Sequence, residues 1–242
     1  MVVGIMRKII FCNIAWANKY DGSDTQFYNG GSFVKENNDG GEYRNFKKYN
    51  DGYLRGYVQA TNHTIRPIQF GVQQETSRVE GVLVIWVATP NNESGRRVIG
   101  WFENATIYTK PIYDDFKGWF NIKAKSEDCV LLNLRDRYNS IKIPRSVNGG
   151  PGMGRSNTWF AKGEKNEQIV SEVIDFIEHY KSNGKTRKMS KYNTNKKIKN
   201  KSKKSKATHR RKSKCSGCSF NEQGWCSSSK SWCSHAKKYC KK

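Results

Sequence analysis

Thirty consecutive residues, Lys185 to Lys214, contain no Asp, Glu, Leu, Val or Phe. Ordering a backbone costs about 1–2 kcal/mol per residue, and a stretch without apolar area has nothing to offset that cost. A disordered tether is expected there. No run approaches the roughly 20 apolar residues of a membrane-spanning helix. The GxxxxGK[ST] spacing is missing, which removes the usual cradle for a nucleoside triphosphate. The four histidines, His63, His179, His209 and His235, are scattered, and no acids group with a lysine at the spacing of a nuclease core. Asp114, Asp115 and Lys117 in YDDFKGW read as a solvated turn, and Cys12 and Cys129 have no neighbouring general base. No catalytic site is legible.

What the tether does contain is charge: fifteen of its thirty residues are Lys or Arg. Of the 44 basic residues of the chain 20 follow Ser182, together with a single acid of the 21, Glu222. The first 182 residues therefore carry +4 and the remainder +19. Such a segment selects polyanions, and nucleic acid, DNA more than RNA, is the expected partner. Lys203, Lys204, Arg210 and Arg211 are its candidate phosphate contacts, joined by Arg145 and Arg155 from the preceding part. As a flexible coil the tether would span about 30 Å, and more when its charges repel.

Beyond it, residues 215–242 hold five of the seven cysteines in the pattern C-x2-C-x7-C-x6-C-x6-C. A segment this small, with Phe220, Trp225 and Trp232 as its larger rings, is too poor in apolar area to fold alone. A tetrahedral zinc ion, worth about 10–16 kcal/mol, would supply the missing core. Cys215 and Cys218 form the knuckle pair, and two further ligands come from Cys226, Cys233, His235 and Cys240. An iron–sulfur cluster and a metal-free tail are the alternatives. The expected compartment, cytoplasmic or, in a eukaryotic host, nuclear, keeps thiols reduced and so favours metal over disulfides in the tail. The opening segment MVVGIMRKIIFCNIAWA is interrupted by Asn13 and runs into a strand pattern, so it is not expected to be a signal peptide.

Strand signals dominate the first 145 residues. Arg7 to Trp16, Gly52 to Ala60, Gly81 to Thr89, Arg97 to Thr109, Trp119 to Lys125 and Cys129 to Leu134 are β-branched and aromatic, with turn residues between them. Gly81 to Thr89 is apolar almost throughout, which predicts cover on both its faces. Asn166 to Tyr180 places Ile169, Val170, Val173, Ile174, Phe176 and Ile177 at helical spacing, with Asn166 as the expected N-cap. The expected class is α+β, mainly β: a small curved sheet or barrel in residues 1–182, closed by one helix, then the linker 183–214 and the tail 215–242.

Tryptophans are frequent in the folded part: Trp16, Trp86, Trp101, Trp119 and Trp159. Most such residues are core. Trp86 and Trp101 nevertheless lie on strands expected to be neighbours and Trp16 ends a third, so these rings are candidate walls of a cage for a flat base. Two glycine-rich loops, YNGGSFV and IPRSVNGGPGMGRSNTWFA, offer backbone N–H groups, with Arg145, Arg155, Ser156 and Asn157 as polar partners. The other reading of the second loop is a long structural turn.

Taken together, FCNIAW, NGGSFV, VLVIWVAT, VIGWFENATIY and IPR…GGPGMGRSNTWFA resemble a PUA-like class of domains, the superfamily of the EVE and YTH readers, over about residues 7 to 180. That resemblance implies a small barrel that takes a flipped, modified base into an aromatic cage, in the setting of modification-dependent restriction. It implies Trp16, Trp86 and Trp101 as cage walls and Asn13, Ser32 and Asn157 as polar readers. The expected function is nucleic-acid binding, with a nuclease as a possible partner. The alternatives are a modification-dependent endonuclease with an unrecognised active site and an RNA-binding or ribosome-associated zinc protein.

Overall fold

The computed structural model describes residues 7–29, 41–114 and 118–183, and the backbone of Trp225–Cys226 and Ser231–Trp232. Two compact units divide the chain, Met1–Lys196 and Lys197–Lys242.

The first unit is mainly β. Its strands are β1 (Ile9–Ile14), β2 (Tyr53–Gly56), β3 (Arg78–Ala88), β4 (Arg96–Asp114), β5 (Gly118–Lys125), β6 (Cys129–Leu131), β7 (Lys142–Ile143) and β8 (Thr158–Trp159). They form one mixed sheet in the order β2-β5-β4-β3-β1-β8, with β6 and β7 added to β4. Only β1 and β3 run parallel, Ile9 facing Leu83 and Ile14 facing Ala88. The path is open, with β2 and β8 at its ends. Of the two forms expected, a sheet and a closed barrel, the open sheet is the one observed. Its long strand β4 pairs along one edge with β3 and along the other successively with β5, β6 and β7. Register shifts at Val79/Val82, Val82/Val84 and Trp86/Val87 mark where that pairing bends.

Both faces of β3 are covered, as its continuous apolar run predicts. Val82, Val84, Trp86 and Ala88 enter one core with Ile10, Cys12, Ile14 and Phe102. Leu83, Ile85 and Val87 enter a second core with Phe11, Trp101, Met153, Val173, Phe176 and Ile177. The last three belong to α2 (Glu167–Asn183), which packs its apolar stripe on the sheet. A short helix, α1 (Leu134–Asn139), was not anticipated. Its start is capped by Asn133, whose side chain accepts from the Asp136 N–H at 2.9 Å, so the chain leaves β6 three residues earlier than expected.

Asn166 does not cap α2. It is buried at the end of a 3-10 turn, where its side chain accepts from the Gly152 N–H at 3.1 Å and donates to the Lys162 carbonyl at 2.7 Å. It staples the glycine-rich loop to the helix. In the second unit, β9 (Trp225–Cys226) and β10 (Ser231–Trp232) pair antiparallel. Among the described residues no helix is long and apolar enough to cross a membrane.

Candidate nucleic-acid interface

Gly56 ends β2, and the next two residues have no strand partner on the ladder. Two buried asparagines replace it. Asn45 accepts from the Tyr57 N–H at 2.8 Å and donates to its carbonyl at 3.0 Å, while Asn121 accepts from the Val58 N–H at 3.1 Å and donates to its carbonyl at 2.8 Å. A side-chain amide thus completes each backbone unit, which a buried peptide requires. The chain then turns at Thr61–His63, fixed by buried Ala60 and Ile65 and by the Ile65 N–H on the Thr109 carbonyl at 2.9 Å. Asn62 and His63 take φ of 54° and 53°, left-handed backbone that Asn and His tolerate better than most residues. Two such residues in succession hold the turn away from the core.

Three concavities meet at Thr64 on this turn. The first, about 370 Å³, is polar and lined by Thr61, Asn62, Arg66, Gln69, Ser156 and Thr158 among others. The second, about 470 Å³, is lined by Tyr57, Asn62, His63, Lys110, Pro111 and Trp119. The third, about 680 Å³, runs along Arg66 to Ser77 and includes Glu75 and Lys110. Among the described residues no acidic side chain lines the first two, whereas Arg66 lines the first and Lys110 the second.

The glycine-rich loop approaches this region from the other side. The Asn13 N–H donates to the Asn157 carbonyl at 2.8 Å, and the Asn157 amide donates to the Gln59 carbonyl at 3.3 Å. Arg96 ties the arrangement down, with Nε on Asn13 Oδ1 at 3.0 Å and its two terminal nitrogens on the Met153 and Gly154 carbonyls at 3.1 and 2.9 Å. Burial, then the nearby Arg145 charge, lowers the Arg96 pKa below its ordinary value. Gly152 has φ +109°, and a Cβ there would lie 2.3 Å from the Pro144 carbonyl oxygen. The N–H groups of Gly150, Gly152 and Met153 bond to Val147, Asn166 and Pro144, so the loop spends them on its own fold.

The three tryptophans expected as one cage are not brought together. Trp86 is fully buried in the first core and Trp101 is 1% exposed in the second, on opposite faces of the sheet. The reason is register: Trp86 faces Gly100 and Trp101 faces Ile85, and adjacent positions on a strand point oppositely. Trp86 packs so closely on β2 that a Cβ at Gly56 would lie 2.6 Å from its ring. Trp16 is 2% exposed, with its ring 5.1 Å from that of Tyr138 and the Arg137 guanidinium above it. All three are core.

Asn13 and Asn157 do converge, though the Asn13 oxygen is held by Arg96. Arg145 and Arg155 are exposed, as phosphate contacts must be. Ser32, Lys203, Lys204, Arg210, Arg211, Cys215, Cys218, Cys233 and Cys240 lie outside the described residues, and Cys226 is described by its backbone alone. Burial pushes the thiols of Cys12 and Cys129 well up, with nearby Glu42 and Asp128 adding to it respectively, so neither is poised as a thiolate. Asp114 pairs with Arg55 at 2.5 Å rather than standing in a solvated turn. Among the described residues no three His, Cys, Asp or Glu group as metal ligands.

Asn62, His63, Arg66, Lys110 and Trp119 line these concavities without any pattern in the sequence that marks them as a group. Comparison of the chain with protein-family models, with curated proteins and with solved structures finds no match.

Proposed function

We propose that this chain is a nucleic-acid-binding protein, a reader of a base in DNA, with sequence-blind affinity supplied by the basic segment after Ser182. The observation that carries the reading is the polar cleft at Thr61–Gln69, where Asn62, Arg66, Gln69, Ser156 and Thr158 converge and, among the described residues, no acidic side chain lines the wall. Its amides and hydroxyls have the donor and acceptor range needed for a base edge, and its guanidinium suits a phosphate. The cleft, rather than a cage of Trp16, Trp86 and Trp101, is the place for a modified or flipped base. A PUA-like ancestry remains the proposal that the motifs support.

In this reading Arg145 and Arg155 position the folded part on the backbone, and Lys203, Lys204, Arg210 and Arg211 extend the contact. The cysteine tail takes zinc as its core, with Cys215 and Cys218 as the knuckle pair and two further ligands from Cys226, Cys233, His235 and Cys240. Zinc supplies structure there rather than chemistry.

The test is the salt dependence of duplex binding by the full chain and by a chain truncated after Ser182, which keeps every residue of both cores. Five tail cations on phosphates flatten the slope of log affinity against log salt by about 4 to 5 when removed. An unchanged slope refutes the role of the tail. Across oligonucleotides carrying different base modifications, preference should reside in residues 1–182 and weaken on Asn62→Ala or Gln69→Ala.

A further inference from the structure

The second concavity carries the rings of Tyr57, His63 and Trp119, where the polar cleft has Phe160 alone. Tyr113 and Trp119 face each other directly across the β4–β5 hairpin, with ring centroids 5.2 Å apart and planes at 68°. They are 56% and 57% exposed, whereas Trp16, Trp86 and Trp101 are at most 2% exposed. A cross-strand pair of large rings left in solvent loses the burial that normally justifies it. Trp119 also forms one wall of the 470 Å³ cleft with Tyr57, His63 and Lys110, and that volume falls in the range of about 300–1,000 Å³ typical of small-ligand sites.

We infer that Trp119, with His63 and Tyr57, forms a stacking site for one unpaired nucleobase, whose phosphate is met by Lys110. This deepens the nucleic-acid reading and rests on it. Four observations favour a base over another flat or apolar partner. The cleft has an aromatic wall, which every base can stack on. The Lys110 ammonium lines it, and among the described residues no carboxylate does. It shares Asn62 and Thr64 with the polar cleft, so successive nucleotides of one strand would fill the two. The left-handed backbone at Asn62 and His63 presents both side chains to this space, a strained conformation of the kind found at binding sites. A paired base within a duplex has no free face, so the site discriminates for single strands, flipped bases or ends.

The experiment measures binding of the full chain to labelled oligothymidylate and to a fully paired duplex of the same length, by fluorescence anisotropy at one salt concentration. Trp119→Ala should weaken oligothymidylate binding roughly 5- to 150-fold, the equivalent of about 1–3 kcal/mol per stacked base. Trp119→Phe should recover much of the loss, because a smaller ring still stacks. The paired duplex should lose less than twofold. Circular dichroism on each variant secures the comparison, and the exposure of Trp119 predicts an unchanged spectrum. If Trp119→Ala binds oligothymidylate as the parent does, or loses the duplex equally, the stacking site is refuted while nucleic-acid binding stands. If the parent binds neither probe, both readings fall, and a protein or other apolar partner becomes the occupant of the cleft.

Discussion

Glu42 lies in the 3-10 turn Gly41–Arg44, and its carboxylate accepts the Ala15 N–H at 3.0 Å. Burial raises its pKa from 4.5 to about 7, and the single backbone bond offsets only part of that rise. The groups facing it are the Cys12 thiol and the Tyr20 and Tyr57 hydroxyls, and its charge acts on all three in the same unfavourable sense. The sign of the linkage follows. Between pH 4.5 and about 7 the folded chain holds a proton on Glu42 that the unfolded chain has released, so stability falls as pH rises through this window. At about 1.4 kcal/mol per pH unit the whole window amounts to at most about 3.5 kcal/mol. Glu42→Gln keeps an acceptor for the Ala15 N–H and carries no charge. It should match the parent at pH 4.5 or below and exceed its stability at pH 8 by up to about 3.5 kcal/mol. Urea unfolding of both proteins across pH 4.5–8 reads the difference, which corresponds to a midpoint shift of roughly 1–3 M. Taking the difference between variant and parent removes the titration of all other groups. A variant whose advantage is the same at both ends of the range would show that the carboxyl is well solvated and that the argument from burial is wrong.

Asn121→Ala should destabilise the fold by about 2–6 kcal/mol, because it strands the N–H and carbonyl of fully buried Val58 at about 1–3 kcal/mol each; thermal or urea unfolding measures it, and a loss below 1 kcal/mol would mean that the strand re-pairs without the amide. Freshly purified, reduced full-length protein should carry about one zinc per chain, released by chelation. Elemental analysis finding neither zinc nor iron would remove the metal from the tail.

The sequence by itself determined the elements whose signal is local. The apolar run at Gly81–Thr89 specified a strand buried on both faces, and the 3.6-residue spacing of Val173, Phe176 and Ile177 specified the face that α2 lays on the sheet. The concentration of charge after Ser182 is likewise a property of composition alone. Tertiary structure decided everything that depends on which side of a strand faces which partner. Trp86 and Trp101 read as neighbours because their strands are neighbours, yet a one-residue difference in register sends the rings into separate cores. Asn45 and Asn121 carry no pattern in the chain, and only folding shows that they stand in for a missing strand at Tyr57 and Val58. The candidate interface has the same origin. Trp119, His63, Arg66 and Ser156 are scattered over nearly a hundred residues, and they converge around Thr64 because the Ile65–Thr109 and Asn157–Gln59 hydrogen bonds draw distant segments together. Periodicity reports what a residue does to its own segment; a binding surface is set by long-range closure, which leaves no trace in local spacing.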